Sequence, residues 1–242
     1  MEKQRHLQRV PAFSSLTENQ LTVLAASVGS HSFERGETIF HQGSEGNVLY
    51  IVVSGQVRIY TISPSGQELT IKIFRDNDFF GEMALLDGQP RAASAEAMAK
   101  THTLTLHRAA FLHTINTCPP IAAAILEVMA ARLRQSNAYA EQLASVPASQ
   151  RIVHHLCELA GQRSHQQAPG NAQITLNLTQ HDLASLSGTT RETVNRVLSG
   201  LRDQGYVRVE RRQIVVLDLL QLCAMIGYDA RPVVSSVGDY PL

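Results

Sequence analysis

No stretch of this chain approaches about 18 consecutive uncharged apolar residues, the length a membrane-spanning helix requires, so no such helix is expected. The opening Met1-Glu2-Lys3-Gln4-Arg5-His6 is not followed by an apolar core of the secretory kind. No signal peptide is therefore expected, and the expected compartment is the cytoplasm. Cysteine is scarce: Cys118, Cys157 and Cys223 are odd in number, scattered, and form no Cys-x-x-Cys pair. That argues against a disulfide framework or a zinc site, and three buried or half-buried thiols are expected instead. Net charge is lacking too, since 21 basic residues balance 21 acidic ones. A uniformly basic nucleic-acid binder is excluded, and any such role must reside in a local cluster. Spacing reveals no phosphate-binding glycine loop, metal motif or nucleophile–base pair, so an enzyme is not expected.

What is present is ordinary globular material, 44% hydrophobic over 242 residues, enough for one or two real cores. From about residue 33 to 108, apolar residues alternate in short runs: Val48 to Val53, Val57 to Ile62 and Leu69 to Phe74. Turn signals separate them at Glu34-Arg35-Gly36-Glu37, Gln42-Gly43, Ser54-Gly55, Pro64-Ser65-Gly66 and Asp76-Asn77-Asp78. Short strands at such spacing predict an all-β barrel or jelly roll. Before it, Thr17 and Gln20 form a capping-box pattern opening a helix over Leu16 to Val28.

Pro119-Pro120 opens a longer helix. Along it Ala122, Leu126, Met129, Leu133, Ser136, Ala140 and Leu143 recur at alternating spacings of four and three, a heptad seam. No second copy of that seam exists in the chain, so it predicts a homodimer through residues 122–143. Pro147 interrupts the helix. A further helix restarts at Ala148, through Ile152, Val153, Leu156 and Leu159, and a polar loop is expected from Gly161 to Asn171.

Thr179 to Ala184 reads as a short helix with Thr179 as its cap and Asp182 three residues on. Ser187-Gly188 turns the chain, and a second helix starts near Thr189-Thr190-Arg191-Glu192-Thr193-Val194-Asn195-Arg196. Ala184, Leu186, Val194, Val197 and Leu201 supply the apolar side of the helix pair. This is helix-turn-helix spacing with a glycine in the turn. The second helix would enter the major groove. There Arg191 and Arg196 can donate bidentate pairs to guanine and Glu192 can accept from cytosine. Thr179, Thr189, Thr190, Thr193 and Asn195 suit phosphates or base edges. Residues 205–210 and 213–217 read as a hairpin with Arg211 and Arg212 at its tip, a wing placed to touch backbone phosphate. Double-stranded DNA is thus the expected partner.

Phe79 to Ser94 is the richest stretch of the N-terminal half. Glycine lets backbone approach a ligand closely. A glutamate accepts from hydroxyls, an arginine pairs with phosphate through two parallel hydrogen bonds, and successive backbone N–H groups can form an anion nest. An Arg91 buried with no anion to pair with would be costly, which argues for a ligand.

Here the chain resembles the cyclic-AMP receptor protein / fumarate-nitrate regulator superfamily, and most closely its cyclic-AMP receptor protein branch. The segment 79–94 resembles the phosphate-binding cassette of cyclic-nucleotide-binding domains, with Gly36, Gly43 and Gly55 matching barrel-turn glycines, and 190–196 resembles the family's recognition helix. The resemblance covers roughly residues 12–217. It implies that Glu82 holds a ribose 2′-hydroxyl and Arg91 a cyclic phosphate. Gly81, Met83, Ala92 and Ala93 complete the cradle, and Ser136 and Asn137 stand where the family touches the base from both subunits. It implies cyclic AMP as the effector and no metal. Since Ser136-Asn137 differs from the family's Thr-Ser pair, cyclic GMP or a cyclic dinucleotide stays open. Haem through scattered histidines such as His31, His41, His102, His107 or His113, or no ligand, also stays open. By the same resemblance Arg191, Glu192 and Arg196 would read a palindrome of TGTGA-type arms. RNA polymerase is a candidate partner at the 161–171 loop. A regulatory module serving another protein is the competing reading, but it leaves the helix-turn-helix unexplained.

The expected fold is α+β: an N-terminal β jelly-roll cyclic-nucleotide-binding barrel over 1–118, a dimerisation helix over 119–146, and a winged helix-turn-helix over 147–218. A C-terminal extension follows over 219–242, in which Leu219, Leu220, Leu222, Met225 and Ile226 suggest one more helix and the last residues are expected to be mobile.

Overall fold

The computed structural model describes residues 2–164, 173–210 and 213–227. In chain order, helices α1 (Glu2–Arg9) and α2 (Glu18–Ala26) precede β1 (Val28–Phe33), β2 (Thr38–Phe40), β3 (Val48–Ser54), β4 (Val57–Ile62), β5 (Glu68–Phe74) and β6 (Phe79–Phe80). Then come α3 (Glu82–Asp87), β7 (Ser94–Ala97), β8 (Thr101–His107), α4 (Arg108–Thr117), α5 (Pro119–Ser145) and α6 (Ala148–Ser164). The last elements are β9 (Ile174–Leu176), α7 (Gln180–Leu186), α8 (Arg191–Asp203), β10 (Val207–Val209), β11 (Ile214–Val216) and α9 (Leu219–Ala224). The chain forms two compact units: residues 1–61 with 71–134, and residues 62–70 with 135–242.

In the first unit two four-stranded sheets, ordered β1-β8-β3-β6 and β2-β7-β4-β5, make the expected jelly roll. The alternating runs set the register. Leu49 faces Leu106 and Ile51 faces Leu104, and all four side chains are buried. The α2 capping box forms as expected: the Thr17 N–H donates to Gln20 Oε1 at 2.9 Å. Helix α4 meets α5 at 112°. One face of α5, at Ile121 and Ile125, closes the core with Phe13, Leu85 and Phe111. Among the described residues no single helix is long and apolar enough to cross a membrane.

Two positions of the predicted heptad seam find partners within the chain. Leu126 and Leu133, seven residues apart, stay 68% and 62% exposed. Met129 instead packs against the barrel core, and Leu143 lies against the turn at Gly188. Leu126, Leu133, Ser136 and Ala140 stay exposed along the predicted seam.

In the second unit, β9 joins β10 and β11 in a three-stranded sheet ordered β10-β11-β9. The sequence reading has no strand there, although Ile174, Leu176 and Leu178 alternate and are buried. Helix α6 runs to Ser164, three residues past the expected start of the loop. The rest of that expected loop, and the tail beyond 227 expected to be mobile, lie outside the described residues. The extension does form a helix, α9, capped by Asp218 and packed on α6 through Leu222 and Cys223. All three cysteines are buried free thiols, and burial pushes those of Cys157 and Cys223 up.

Candidate functional site

In the first unit β6 ends at Phe80, Gly81 turns the chain at φ +82°, and α3 begins at Glu82. A Cβ at position 81 would lie 2.7 Å from Arg91 Nη1 and 3.2 Å from the Val48 carbonyl oxygen, so conformation and space both demand glycine. Gly46 plays a similar part, unnoticed in the sequence: a Cβ there would lie 2.5 Å from Ala84 Cβ and 2.9 Å from Arg91 Nε. These two glycines make the slot that Arg91 fills.

Arg91 donates through Nη1 to the Gly81 carbonyl and through Nη2 to the Val48 carbonyl, each at 2.7 Å. Its guanidinium lies 4.2 Å over the Phe40 ring. The argument that Arg91 would be buried without a partner is thereby corrected, because two carbonyls serve its terminal nitrogens. Only Nε is buried with no partner. Burial lowers the Arg91 pKa, with Tyr50 and Glu82 acting in the opposite sense. The group stays cationic at any physiological pH.

Glu82 is 3% exposed. Its Oε1 accepts from Arg132 Nη1 at 2.7 Å, while Oε2 is buried without a partner. Arg132, on α5, also donates to the Phe79 carbonyl and stands over the Phe74 and Phe79 rings at 4.8 and 4.6 Å. Arg132 is absent from the sequence-based candidates: a lone arginine on a long helix gives no signal until the fold sets it against the cassette.

The structure thus brings Gly81, Glu82 and Arg91 together. Ala92 and Ala93 follow directly, the first exposed and the second buried. The Met83 side chain is 52% exposed. Ser136 and Asn137 are exposed on α5 and belong to the other compact unit. Among the described residues no group of three or more His, Cys, Asp or Glu side chains could hold a metal ion.

In the second unit, α7 and α8 form the helix-turn-helix. Thr179 caps α7 through a reciprocal box with Asp182, whose N–H donates to Thr179 Oγ1 at 3.1 Å. Thr190 caps α8, accepting from the Thr193 N–H at 3.2 Å. Both threonine hydroxyls therefore have structural employment, and Thr189 and Thr193 are half-buried. Val194, Leu198 and Leu201 bury one side of α8, which leaves Arg191, Glu192, Asn195 and Arg196 exposed. Arg211 and Arg212, the expected wing tip, lie outside the described residues.

The turn between α7 and α8 is held from several sides. The Tyr139 hydroxyl donates to the Leu186 carbonyl at 2.9 Å, and burial pushes its pKa up to about 12. Arg151, buried on α6, donates to the carbonyls of Ser187 at 2.9 Å, of Gly188 at 3.2 Å and of Val146. The 62–70 hairpin tip adds a buried Thr70–Ser185 hydroxyl pair at 2.7 Å and a Glu68–His181 contact at 3.2 Å. Gly188 sits at φ +56°, where a Cβ would meet Leu143 at 2.5 Å and Leu69 at 3.2 Å. Replacing Arg151 by Met should strand several carbonyls, each costing about 1–3 kcal/mol if it stays dry. The expected result is a melting midpoint for this unit lower by more than about 5 °C, read by calorimetry. An unchanged midpoint would mean that water replaces the guanidinium without cost.

Residues 30–118 match the cyclic nucleotide-binding domain family, and residues 150–225 match the Crp-like helix-turn-helix domain, a span that takes in α9. The CRP-like cAMP-activated global transcriptional regulator of Mycobacterium tuberculosis is 32% identical over 88% of this chain and 94% of its own. The cyclic AMP receptor protein of Thermus thermophilus is 34% identical over 86% of this chain and 95% of its own. Among solved structures, a CRP/FNR-family transcriptional regulator of Thermus thermophilus superposes with a TM-score of 0.68 at 28% identity, covering 82% of this chain and 98% of that one. The c-di-GMP responsive regulator CLP of Xanthomonas campestris shares the fold, with a TM-score of 0.74 at 22% identity over 84% of this chain and 100% of its own. With a sensor family on one unit, a DNA-reading family on the other and relatives aligned almost end to end, the chain belongs to the CRP/FNR family of transcription regulators.

Proposed function

We propose that this regulator binds a cyclic nucleotide, cyclic AMP first, in the cassette around Glu82 and Arg91. On this reading it dimerises through α5 and binds palindromic DNA of TGTGA-type arms. Residues 1–118 are the sensor, 119–146 the dimerisation helix, 147–218 the DNA reader and 219–242 an extension whose helix α9 packs on α6. The observation that carries the ligand half is the pair of stranded atoms in one cradle. Glu82 Oε2 is a buried acceptor and Arg91 Nε a buried donor, and neither has a partner. A ribose hydroxyl donates to the first and a phosphate accepts from the second, which relieves both penalties. Cyclic AMP leads because the relatives in Mycobacterium tuberculosis and Thermus thermophilus are named for it. Cyclic di-GMP is the second candidate, since a protein of this fold responds to it.

Regulation follows from where Glu82 makes its bond. Its partner Arg132 lies on α5, and seven residues further along the same helix Tyr139 holds the helix-turn-helix turn. A ligand at Glu82 therefore bears on the helix that positions the reader. Differential ligand affinity for the two arrangements shifts their populations, and DNA raises ligand affinity reciprocally. In the DNA-competent dimer the two α8 helices sit about 34–36 Å apart. Arg191, Glu192 and Arg196 read base edges, Asn195 and the threonines at 179, 189, 190 and 193 support them, and Arg211 and Arg212 touch phosphate.

The test is calorimetric titration of the purified protein with cyclic AMP, cyclic GMP and cyclic di-GMP. Saturable binding of cyclic AMP is expected. Binding of cyclic di-GMP alone would change the effector, and heat from none of the three would leave a DNA-binding regulator without nucleotide control.

A further inference from the structure

Two of the three cysteines, far apart in the sequence, meet in the core of the second unit. Cys157 lies on α6 and Cys223 on α9, both are buried, and α9 packs on α6. There the two thiols share a hydrogen bond. Burial pushes both thiols up; the bond raises Cys157 further and draws Cys223 back down, so the Cys157 S–H donates and the Cys223 sulfur accepts. Cys118 belongs to the first unit, in the barrel core. A single buried cysteine is ordinary apolar filling. A facing pair is more than that, because each thiol is placed to trap the oxidised form of the other.

The two sides of the pair are held unequally. Cys157 stands on the long helix α6, between the buried residues Ile152, Val153, Leu156 and Ala160. Helix α9 has six residues, of which only Leu222 and Cys223 are buried, while Leu220 is 76% exposed. An element with so few buried apolar contacts opens locally at far lower cost than the whole unit unfolds. Opening of α9 brings Cys223 to solvent and leaves Cys157 on its helix. Cys223 is also the sulfur whose thiolate the shared bond favours, and the thiolate is the nucleophile.

We propose that Cys157 and Cys223 form a reversible redox site, joining as a disulfide that ties α9 to α6 when the protein meets a hydroperoxide. Cys223 loses its proton and its sulfur attacks the peroxide: an S–O bond forms, the O–O bond breaks, and the alcohol, or water from hydrogen peroxide, leaves with a proton. Cys223 is then a sulfenic acid. As α9 closes, the Cys157 sulfur attacks the Cys223 sulfur: the S–S bond forms, the S–O bond breaks, and hydroxide leaves as water with the Cys157 proton. Two electrons have passed from the thiol pair to the peroxide, and a dithiol returns them by exchange. The disulfide closes a loop that contains β9, α7, α8, β10 and β11. It therefore restricts the unfolded chain of the DNA reader and stabilises the folded one. The site is independent of the nucleotide-binding reading.

The test treats the full-length protein with hydrogen peroxide and follows intact mass, disulfide-linked peptides and the melting profile. Wild type and Cys118→Ser should each lose about 2 Da and yield a peptide joining residues 157 and 223. The melting midpoint of the second unit should rise by more than about 5 °C, and dithiothreitol should reverse both changes. Cys157→Ser should lose no mass and should instead hold a sulfenic acid at Cys223 that dimedone traps. Cys118→Ser that keeps both remaining thiols free after peroxide, with its fold intact, overturns the proposal. A disulfide that links two molecules in place of the 157–223 pair also overturns it.

Discussion

Replacement of Arg91 by Ala should lower cyclic nucleotide affinity by roughly 10- to 100-fold while leaving the barrel folded. Nε is the Arg91 nitrogen left without a partner, and a charge-assisted hydrogen bond from it to a phosphate is worth about 1.5–3 kcal/mol, which no other side chain of the cassette segment 79–94 can replace. The fold should survive because the carbonyls that buried Arg91 serves belong to Gly81 and Val48, both half-exposed and within reach of water once the side chain is gone. Arg91→Lys separates charge from geometry. It keeps the cation but loses the planar fork, and should fall between wild type and Ala. Full affinity in Arg91→Ala, by calorimetry at matched protein stability, would remove the cassette from the mechanism.

The second large effect is expected on α5. Leu126 and Leu133 stand more than 60% exposed, seven residues apart. On the proposed reading a symmetric dimer buries both in each protomer, and each leucine contributes about 1.5–3 kcal/mol on burial. Replacing both by Glu removes that gain and sets four carboxylates against one another across the axis. The variant should sediment as a monomer. Its affinity for a full palindrome should drop to that of a half-site, because the second arm is no longer delivered at high effective concentration. A variant that stays dimeric would place the interface elsewhere than the Leu126–Leu133 line.

The elements with a strong period were legible in the sequence. The alternating strands β3, β4 and β5, the capped helices α2 and α7, and the glycine turn before α8 all stand where the residues put them. Gly81, Glu82 and Arg91 come together because the motif is contiguous, but the bonds of Arg91 to two backbone carbonyls and of Glu82 to Arg132 were not legible there. What escaped depends on contacts distant in sequence. Arg132 reaches Glu82 across 50 residues, and nothing around position 132 announces it. Gly46 matters only because Arg91, 45 residues later, fills the space where its Cβ would be. The 62–70 tip reads as an ordinary polar hairpin turn, yet it packs with the second unit through Thr70 and Ser185. The heptad at 122–143 was legible only in part, for a different reason. A seam drawn on sequence spacing cannot say that Met129 serves the barrel or that Leu143 serves the turn. Strand β9 carried a signal, the alternation of Ile174, Leu176 and Leu178, but three residues are too few to separate from a loop.

Ligand control of DNA binding is tested most directly by fluorescence anisotropy on a labelled duplex at one fixed salt concentration, with and without cyclic AMP. The duplex carries TGTGA and TCACA arms about one helical turn apart. Tight, sequence-specific binding that requires cyclic AMP is the predicted result. Equally tight specific binding without the nucleotide would contradict ligand control while sparing the DNA reader, and no specific binding in either condition would contradict the assigned half-site.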